Sequence, residues 1–302
     1  MAKPFDKPWL SISDQIQKLQ GYGLTISDVP AASAFLEHIN YYRFCGYGLA
    51  FEKSRHVFLP GTTFEQVRSA YEFDRSLRDL VTESLEVIEL DLRTTIAHFF
   101  GKKYGAFGYV SEKSFFHTDR HREWLSNVCA ETVRSSELFV KHHKEVYQEF
   151  PNMPIWVATE IMSFNTLSKM YSFMWKDDKK VIAARYHVQP DILGTWLHHL
   201  VYVRNLCAHH SRLWDRIWAI KPNFPAGKNW ESPLVPSNMR LFATLLIQSA
   251  ILRYCLAERS FALGWRVRIE ELLINRTPAA PNVIIKMDLP IDWQKHPLWI
   301  QP

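Results

Sequence analysis

Glycine is scarce in this sequence, at 11 of 302 residues. That is about half of the usual share of about 7%, and tight turns and phosphate-cradling loops depend on glycine. The sequence also lacks the patterns G-x-x-x-x-G-K-[ST], G-x-G-x-x-G and G-x-S-x-G. The composition therefore argues against a turn-rich β architecture and against nucleotide-loop or hydrolase-elbow chemistry.

Cysteine and long apolar runs are also scarce. The four cysteines lie far apart with no C-x-x-C pair, which favours reduced thiols in a cytoplasm over a disulfide framework or a zinc site. The N-terminal segment MAKPFDKPWL has no apolar run after its basic residues, so we predict no secretory signal. The longest apolar stretch, Leu241–Leu256, is interrupted by Gln248 and Arg253 and is shorter than the about 20 residues that span a bilayer. We therefore expect a soluble, cytoplasmic protein with no membrane partner.

A histidine cluster at positions 117, 121, 142 and 143 has no cysteine or carboxylate that would complete a tetrahedral ligand set. We predict no metal and no cofactor.

The residues that are present indicate a helical globular chain. Apolar residues make up 47% and charged residues 22%, with a net charge of +5, and a core can form from this composition. Apolar residues from Phe64 to Phe99 recur at steps of three and four after a capping box of Thr62 and Glu65. This spacing predicts a long helix and an all-α fold. Further helices are predicted at 12–20, 31–38, 41–51, 120–147, 154–174, 178–187, 190–210 and 237–263. Prolines predict an irregular loop at 221–236 and an extended tail after 276, with Trp293 and Trp299 available to pack on the body.

The helix predicted at 190–210 carries the most informative residues. Its buried stripe is expected to include Arg204, four residues after Leu200. Another face carries polar residues at steps of four, three and four, which places them along one groove: His198, Tyr202, Asn205 and His209. Arg204 and His209 are about 140° apart around the helix. Both side chains can therefore reach one bound group only if that group lies across the end of the helix or between this helix and a second one.

Basic residues are concentrated in 203–240, which contains six Lys/Arg but only two acidic residues. Tryptophans lie between these charges, a mixture that binds phosphates and stacks unpaired bases. We select Arg212, Trp214 and Arg216 as candidate RNA-binding residues. The alternative is that the tryptophans belong to the core beside solvated arginines.

Five ordered blocks stand out along the chain: Ile39–Tyr47, Tyr71–Arg78, Ile88–Ala97, Pro154–Trp156 with Glu160 and Ser163–Phe164, and Arg204–Trp214. Together they resemble the AbiD/AbiF-type abortive-infection family, and Arg204-Asn-x-x-x-His209 within the last block fits the R-x4-6-H motif of the HEPN superfamily. The resemblance covers about residues 7–220.

The resemblance implies a HEPN-type helical bundle, which we place at 61–275 after an N-terminal helical extension at 1–60. The proline-rich tail at 276–302 lies outside the resemblance. It also implies a toxin of antiviral defence that acts as a metal-independent endoribonuclease. His209 would be the base that activates the 2′-OH, Arg204 would hold the phosphate, and Asn205 would orient either group. The implied partners are RNA and a second copy of the chain in a homodimer.

A second wall of the groove is expected from Glu89 and Arg93, an i,i+4 pair, together with His198, Tyr202 and His210. Three alternatives stay open. Arg204 pairs with a carboxylate inside the bundle and the histidines are ordinary surface residues. The chain is a non-catalytic RNA-binding protein, such as a toxin held by a small antitoxin RNA. The Arg/His helix only forms a dimer interface of a protein scaffold.

Overall fold

The computed structural model describes residues 6, 8–255 and 260–300. These residues form fourteen α-helices and one two-stranded antiparallel sheet, so the all-α prediction is confirmed. The strands are β1 (Glu52–Ser54) and β2 (Val57–Phe58). The helices are α1 (Ile12–Gly21), α2 (Val29–His38), α3 (Tyr41–Gly48), α4 (Phe64–Tyr104), α5 (Thr118–Arg134), α6 (Leu138–Val146), α7 (Ile155–Ile161), α8 (Phe164–Phe173), α9 (Lys176–Ala184), α10 (Pro190–Ala208), α11 (Leu241–Cys255), α12 (Ser260–Asn275), α13 (Val283–Met287) and α14 (Pro297–Ile300).

The longest helix, α4, begins one residue later than the predicted capping box implies. Thr63 Oγ1 accepts from the Gln66 N–H at 3.2 Å, and Gln66 Oε1 accepts from the Thr63 N–H at 2.9 Å. The Thr62 hydroxyl instead donates to the Leu59 carbonyl at 2.8 Å, within the preceding turn. The predicted box of Thr62 and Glu65 was therefore wrong by one residue. The apolar face that follows is buried along the helix at Phe64, Val67, Phe73, Leu77, Val81, Leu85, Ile88, Leu92, Ile96 and Phe100.

Two predicted helices are each divided by a short extended segment. The range 120–147 forms α5 and α6, because Ser135 and Glu137 adopt extended backbone angles between them. The range 154–174 forms α7 and α8, because Ser163 is extended and its side chain caps the Thr166 N–H. In both places a serine that favours caps over helix interiors ends the regular pattern.

The C-terminal tail is more regular than its prolines predicted. It contains α13 and α14, and the extended interpretation of 276–302 was wrong because Pro297 occupies a first helical turn, where a missing N–H costs little. Trp293 and Trp299 are buried, as expected. The loop at 221–236 is irregular apart from one turn of 3₁₀ helix at Lys228–Trp230.

The chain divides into two compact units. The first contains the described residues up to Leu77 together with Ile269–Ile285, and the second contains those of Arg78–Arg268 and from Lys286 onward. The division predicted at 60 and 275 stays a prediction. Within the second unit, α10 packs against α8 and α9, and α5 packs against α7 and α8. All candidate site residues from the sequence lie in this second unit.

Candidate functional site

Helix α10 buries the apolar face that its sequence predicted. Pro190 lies in the first turn, and the buried stripe contains Leu193, Trp196, Leu197, Leu200 and Val201. Arg204 does not continue this stripe, because its side chain is exposed. The buried face instead turns through His199 to Val203 and Cys207. The expectation of a buried arginine was therefore wrong.

The polar face of α10 lies at the surface. His198, Asn205 and His209 are exposed, and Tyr202 is half-buried. The Tyr202 hydroxyl accepts from the Ala219 N–H at 3.5 Å. The predicted spacing thus produces a continuous polar stripe that runs about 16 Å along the helix, at a rise of about 1.5 Å per residue.

The C-terminal end of α10 is closed by a Schellman motif. The His210 N–H donates to the Cys207 carbonyl at 2.9 Å, and the Ser211 N–H donates to the Leu206 carbonyl at 2.8 Å. His210 has φ of 53°, in the left-handed region where glycine is the usual residue. The motif fixes the direction in which the chain leaves the helix directly after His209.

A second histidine on this helix is structural, and sequence reasoning missed it. His199 is fully buried, with Nδ1 2.7 Å from the Ile220 carbonyl and Nε2 2.9 Å from the Thr244 hydroxyl. Burial lowers its pKa to about 4, so the ring is neutral at pH 7. Its spacing was the signal that could have separated it from its exposed neighbour His198, because His199 lies three residues after Trp196 and four before Val203, both apolar.

The segment that follows α10 is held against the helix by hydrogen bonds. The Trp196 indole N–H donates to the Asn223 carbonyl at 2.8 Å, and the Asn223 N–H donates to the Thr195 hydroxyl at 3.0 Å. Together with His199 and Tyr202, these contacts keep residues 219–223 beside successive turns of α10. Arg212 and Arg216, the candidate RNA-binding arginines, therefore lie on a segment that is held at one end by the last turn of α10 and at the other by the contacts of residues 219–223.

The candidate RNA-binding residues differ in accessibility. Trp214 is fully buried, so its ring is not available to stack a base, and that part of the prediction was wrong because the indole belongs to the core. Arg212 forms an ion pair with Asp215 at 2.7 Å. Arg216 is half-buried and donates through Nε to the Arg212 carbonyl at 2.8 Å.

Within the described part of the chain, three side chains at the end of α10 lack intramolecular partners. Among the residues that the structure describes, Arg204, Asn205 and His209 make no side-chain hydrogen bond or salt bridge. An exposed guanidinium, amide and imidazole on one helix end can donate to or accept from a bound molecule without first breaking an internal contact.

The α4 part of the candidate second wall is an ion pair that is also hydrogen-bonded to α7. Glu89 and Arg93 pair along α4 as predicted, and the Arg93 guanidinium also donates to the Thr159 carbonyl of α7. No hydrogen bond or ion pair within the described part of the chain joins this pair to α10. Their role as a second wall stays a prediction.

These features define a class: an all-α protein whose exposed polar helix ends in an Arg-x4-His sequence. The family model described as Abi-like protein matches residues 34–215, more than half of the chain. The chain belongs to this family, which indicates a role in abortive infection. The matched region includes all of α10 and the segment up to Asp215.

Neither the curated proteins nor the solved structures contain a match to the chain. Among the described residues, no helix combines the length and apolar character needed to cross a membrane.

Proposed function

We propose that the chain is a cytoplasmic toxin of abortive infection that cleaves RNA without a metal ion, as a HEPN-type endoribonuclease. The observation that carries the proposal is the exposed set of Arg204, Asn205 and His209 at the end of α10, whose side chains have no partner among the described residues. These residues lie inside the region that matches the Abi-like family.

The chemistry follows from the three side chains. A neutral imidazole accepts a proton at neutral pH, so His209 removes the proton from an RNA 2′-OH. The 2′-oxygen then forms a bond to the adjacent phosphorus, the bond from phosphorus to the 5′-oxygen breaks, and the 5′-oxygen takes up a proton from water, which leaves a 2′,3′-cyclic phosphate and a 5′-hydroxyl. Arg204 stabilises the negative charge that develops on the phosphate oxygens. Asn205 lies one helical turn before His209 and orients the imidazole or the phosphate.

A homodimer completes this site. Arg204 and His209 are about 140° apart around the helix, so one helix alone does not direct both at a single phosphate. An efficient general base also needs a group that fixes its ring, and the described part of the chain supplies none to His209. Two α10 ends that meet across a twofold axis would place Arg204 of one protomer beside His209 of its partner.

The direct test is RNA cleavage in EDTA with analysis of the 3′ ends. Wild-type protein should leave 2′,3′-cyclic phosphates, and His209→Ala should lower the rate by about 10²–10⁴-fold, the range for loss of a general base. His142→Ala, which removes an exposed histidine of α6, is the matched control and should retain full activity. Equal activity of wild type and His209→Ala would refute the catalytic proposal.

A second candidate function is RNA binding without cleavage, as for a toxin held by a small antitoxin RNA. The absence of an internal orienting partner for His209 in the described chain favours it, as does the excess of six basic over two acidic residues in 203–240. This candidate predicts tight binding with no new RNA ends. It also predicts a log–log salt dependence with a slope of about −0.7 per phosphate contact.

A further inference from the structure

A cavity of about 340 Å³ lies in the second unit, where separate parts of the chain meet. Its walls come from the turn between α9 and α10, Trp196 of α10, the loop 225–230, the last turns of α11 and Leu298 of α14. The volume lies at the lower end of the about 300–1,000 Å³ of small-molecule sites. Arg204, Asn205 and His209 do not line it, so the cavity is separate from the candidate RNA-cleaving site.

The charged residues described along this cavity are basic. Lys228 and Arg253 line it, and no described acidic residue does. Lys228 is exposed and forms no salt bridge within the described chain. Arg253 is half-buried, and its guanidinium donates to the Leu298 carbonyl at 2.8 Å, which holds it at the cavity wall. A cavity with basic and no acidic lining favours an anionic ligand.

Neutral hydrogen-bond donors add to this positive charge. The backbone N–H groups of Gly227, Lys228 and Asn229 form no hydrogen bond with any described residue. The same holds for the Asn229 side-chain amide and the Tyr254 hydroxyl, both half-buried at the cavity. The oxygen atoms of an anion accept from such groups, and a bond to a charged acceptor is about twice as strong as one between neutral groups. The lining therefore suits an oxyanion.

The turn between α9 and α10 holds a histidine beside the cavity. The His187 N–H donates to the Ala184 carbonyl at 3.2 Å, and the Val188 N–H donates to the Ala183 carbonyl at 3.4 Å, which closes α9 with a Schellman motif. His187 has φ of 54°, in the left-handed region. Its exposed ring stacks on the Tyr254 ring with the centroids 4.6 Å apart. This strained turn and the stacking fix an imidazole that can donate to a bound anion.

The apolar part of the lining favours a carboxylate over a phosphate. Val188, Pro225 and Leu298 are half-buried side chains of the cavity wall. A carboxylate carries a single charge and an alkyl group that can contact these side chains. A phosphate dianion loses more hydration free energy beside apolar surface, because it carries more charge.

We propose that this cavity binds a carboxylate, with its oxygens on Lys228 and the donors of Gly227 and Asn229, and its alkyl group against Val188 and Leu298. The ligand is either a small free carboxylic acid or the side chain of a glutamate or aspartate of a protein partner. The proposal concerns this cavity alone and does not require the chain to bind or cleave RNA.

The test follows the indole N–H signals of Trp196 and Trp230 by NMR of the full chain, because both residues line the cavity. The probes are sodium butyrate and the peptide acetyl-Gly-Glu-Gly-amide. Butyramide and acetyl-Gly-Gln-Gly-amide are the matched neutral probes, and inorganic phosphate is the competing anion. At least one carboxylate probe should shift both indole signals to saturation. Its neutral analogue should bind about tenfold more weakly or less, because it lacks the charge-assisted bonds.

A pair of charge reversals tests the position of the site. Lys228→Glu should weaken butyrate binding by about tenfold or more, because it replaces an attraction with a repulsion. Lys141→Glu, which makes the same change at an exposed position of α6 outside the cavity, should stay within about twofold of wild type. Asn229→Ala removes one neutral donor and should weaken binding by about fivefold, which keeps a test if Lys228→Glu does not fold.

The two carboxylate probes separate the sources of the ligand. Tighter binding of butyrate supports a free acid, and tighter binding of the Glu peptide supports an acidic side chain of a protein partner. Equal losses in the two charge reversals, equal affinities of the charged and neutral probes, or tighter binding of phosphate than of either carboxylate would overturn the proposal. The absence of any shift of the two indole signals in wild type would overturn it as well.

Discussion

Two parts of α10 use histidine in opposite ways. His199 is buried and bonded through both ring nitrogens, whereas His209 is exposed at the helix end with no side-chain partner among the described residues. The buried ring joins the helix to the segment at Ile220 and to α11 at Thr244. The comparison shows that a histidine in this helix stabilises the fold where its hydrogen bonds are internal, and is free to act on a ligand where they are not.

After His209→Ala itself, the largest effect should come from Arg204→Ala at the exposed end. Loss of a group that stabilises developing phosphate charge should lower RNA cleavage by about 10²–10³-fold. The melting temperature should change little, because Arg204 is exposed and its guanidinium has no internal partner in the described chain. Cleavage kinetics and a thermal melt of the same sample measure both quantities. A large drop in melting temperature would show that Arg204 is structural and that the two parts of α10 do not differ.

A smaller effect should come from protonation of His199 at the buried part. Its folded pKa of about 4 lies below the ordinary value of 6.5, so the unfolded chain binds the proton more tightly between these values. The free energy of unfolding should therefore be unaffected at neutral pH and fall by about 3 kcal/mol as the pH drops from 6.5 to 4. His296, whose pKa burial also lowers, acts in the same direction.

The measurement is urea unfolding at several values of pH for wild type and His199→Gln. The variant cannot bind the proton, so the difference between the two curves isolates His199 from the titrating carboxylates. Parallel curves would contradict the assignment of His199 as a buried neutral ring.

The smallest effect concerns the backbone conformation of His210, where the chain leaves the exposed end of α10. His210→Gly and His210→Ala both remove the imidazole, so their difference reports only the left-handed conformation at φ of 53°. Glycine should be more stable than alanine by about 1 kcal/mol. Thermal or urea unfolding of the two variants measures this difference. Equal stabilities would mean that the Schellman motif does not persist in solution.

The helical architecture could be predicted from the sequence because apolar spacing reports which face is buried. That spacing predicted the stripe of α10 from Leu193 to Val201, but not the direction in which the buried face turns beyond it. Arg204 follows Leu200 by four residues and was assigned to the stripe, whereas Val203 and Cys207 continue it. Near a helix end, neighbouring segments decide which side is covered.

Long-range polar contacts could not be predicted, because they join residues far apart in the sequence. Asp91 accepts hydrogen bonds from Arg185 at 2.5 Å and 3.0 Å and from the Tyr186 hydroxyl at 2.7 Å. The Tyr47 hydroxyl donates to buried Asp74 at 2.7 Å. Asp91, Tyr47 and Asp74 belong to the blocks that resemble the abortive-infection family, so these parts of the blocks serve the core.

Parts of the geometry of the candidate site were predicted, whereas its function stays a prediction. The polar stripe lies at the surface as its spacing indicated, with Tyr202 half-buried, and the Glu89–Arg93 pair forms as its i,i+4 orientation indicated. The stacking role of Trp214 was wrong, because an indole flanked by arginines has the same local pattern on a surface and in a core. Burial of large amphipathic side chains depends on packing partners that the local sequence does not specify.

The most direct test of the account uses a mixed dimer of Arg204→Ala and His209→Ala chains. The two chains carry different tags, are produced together, and are purified through both tags. Each variant alone should be inactive. If Arg204 of one protomer acts with His209 of its partner, the mixed dimer keeps one intact site of two and should cleave RNA at about half of the wild-type rate. A mixed dimer as inactive as each variant alone, or a wild-type chain that is monomeric at its mass of 35.5 kDa while cleaving RNA, would contradict the composite site at the end of α10.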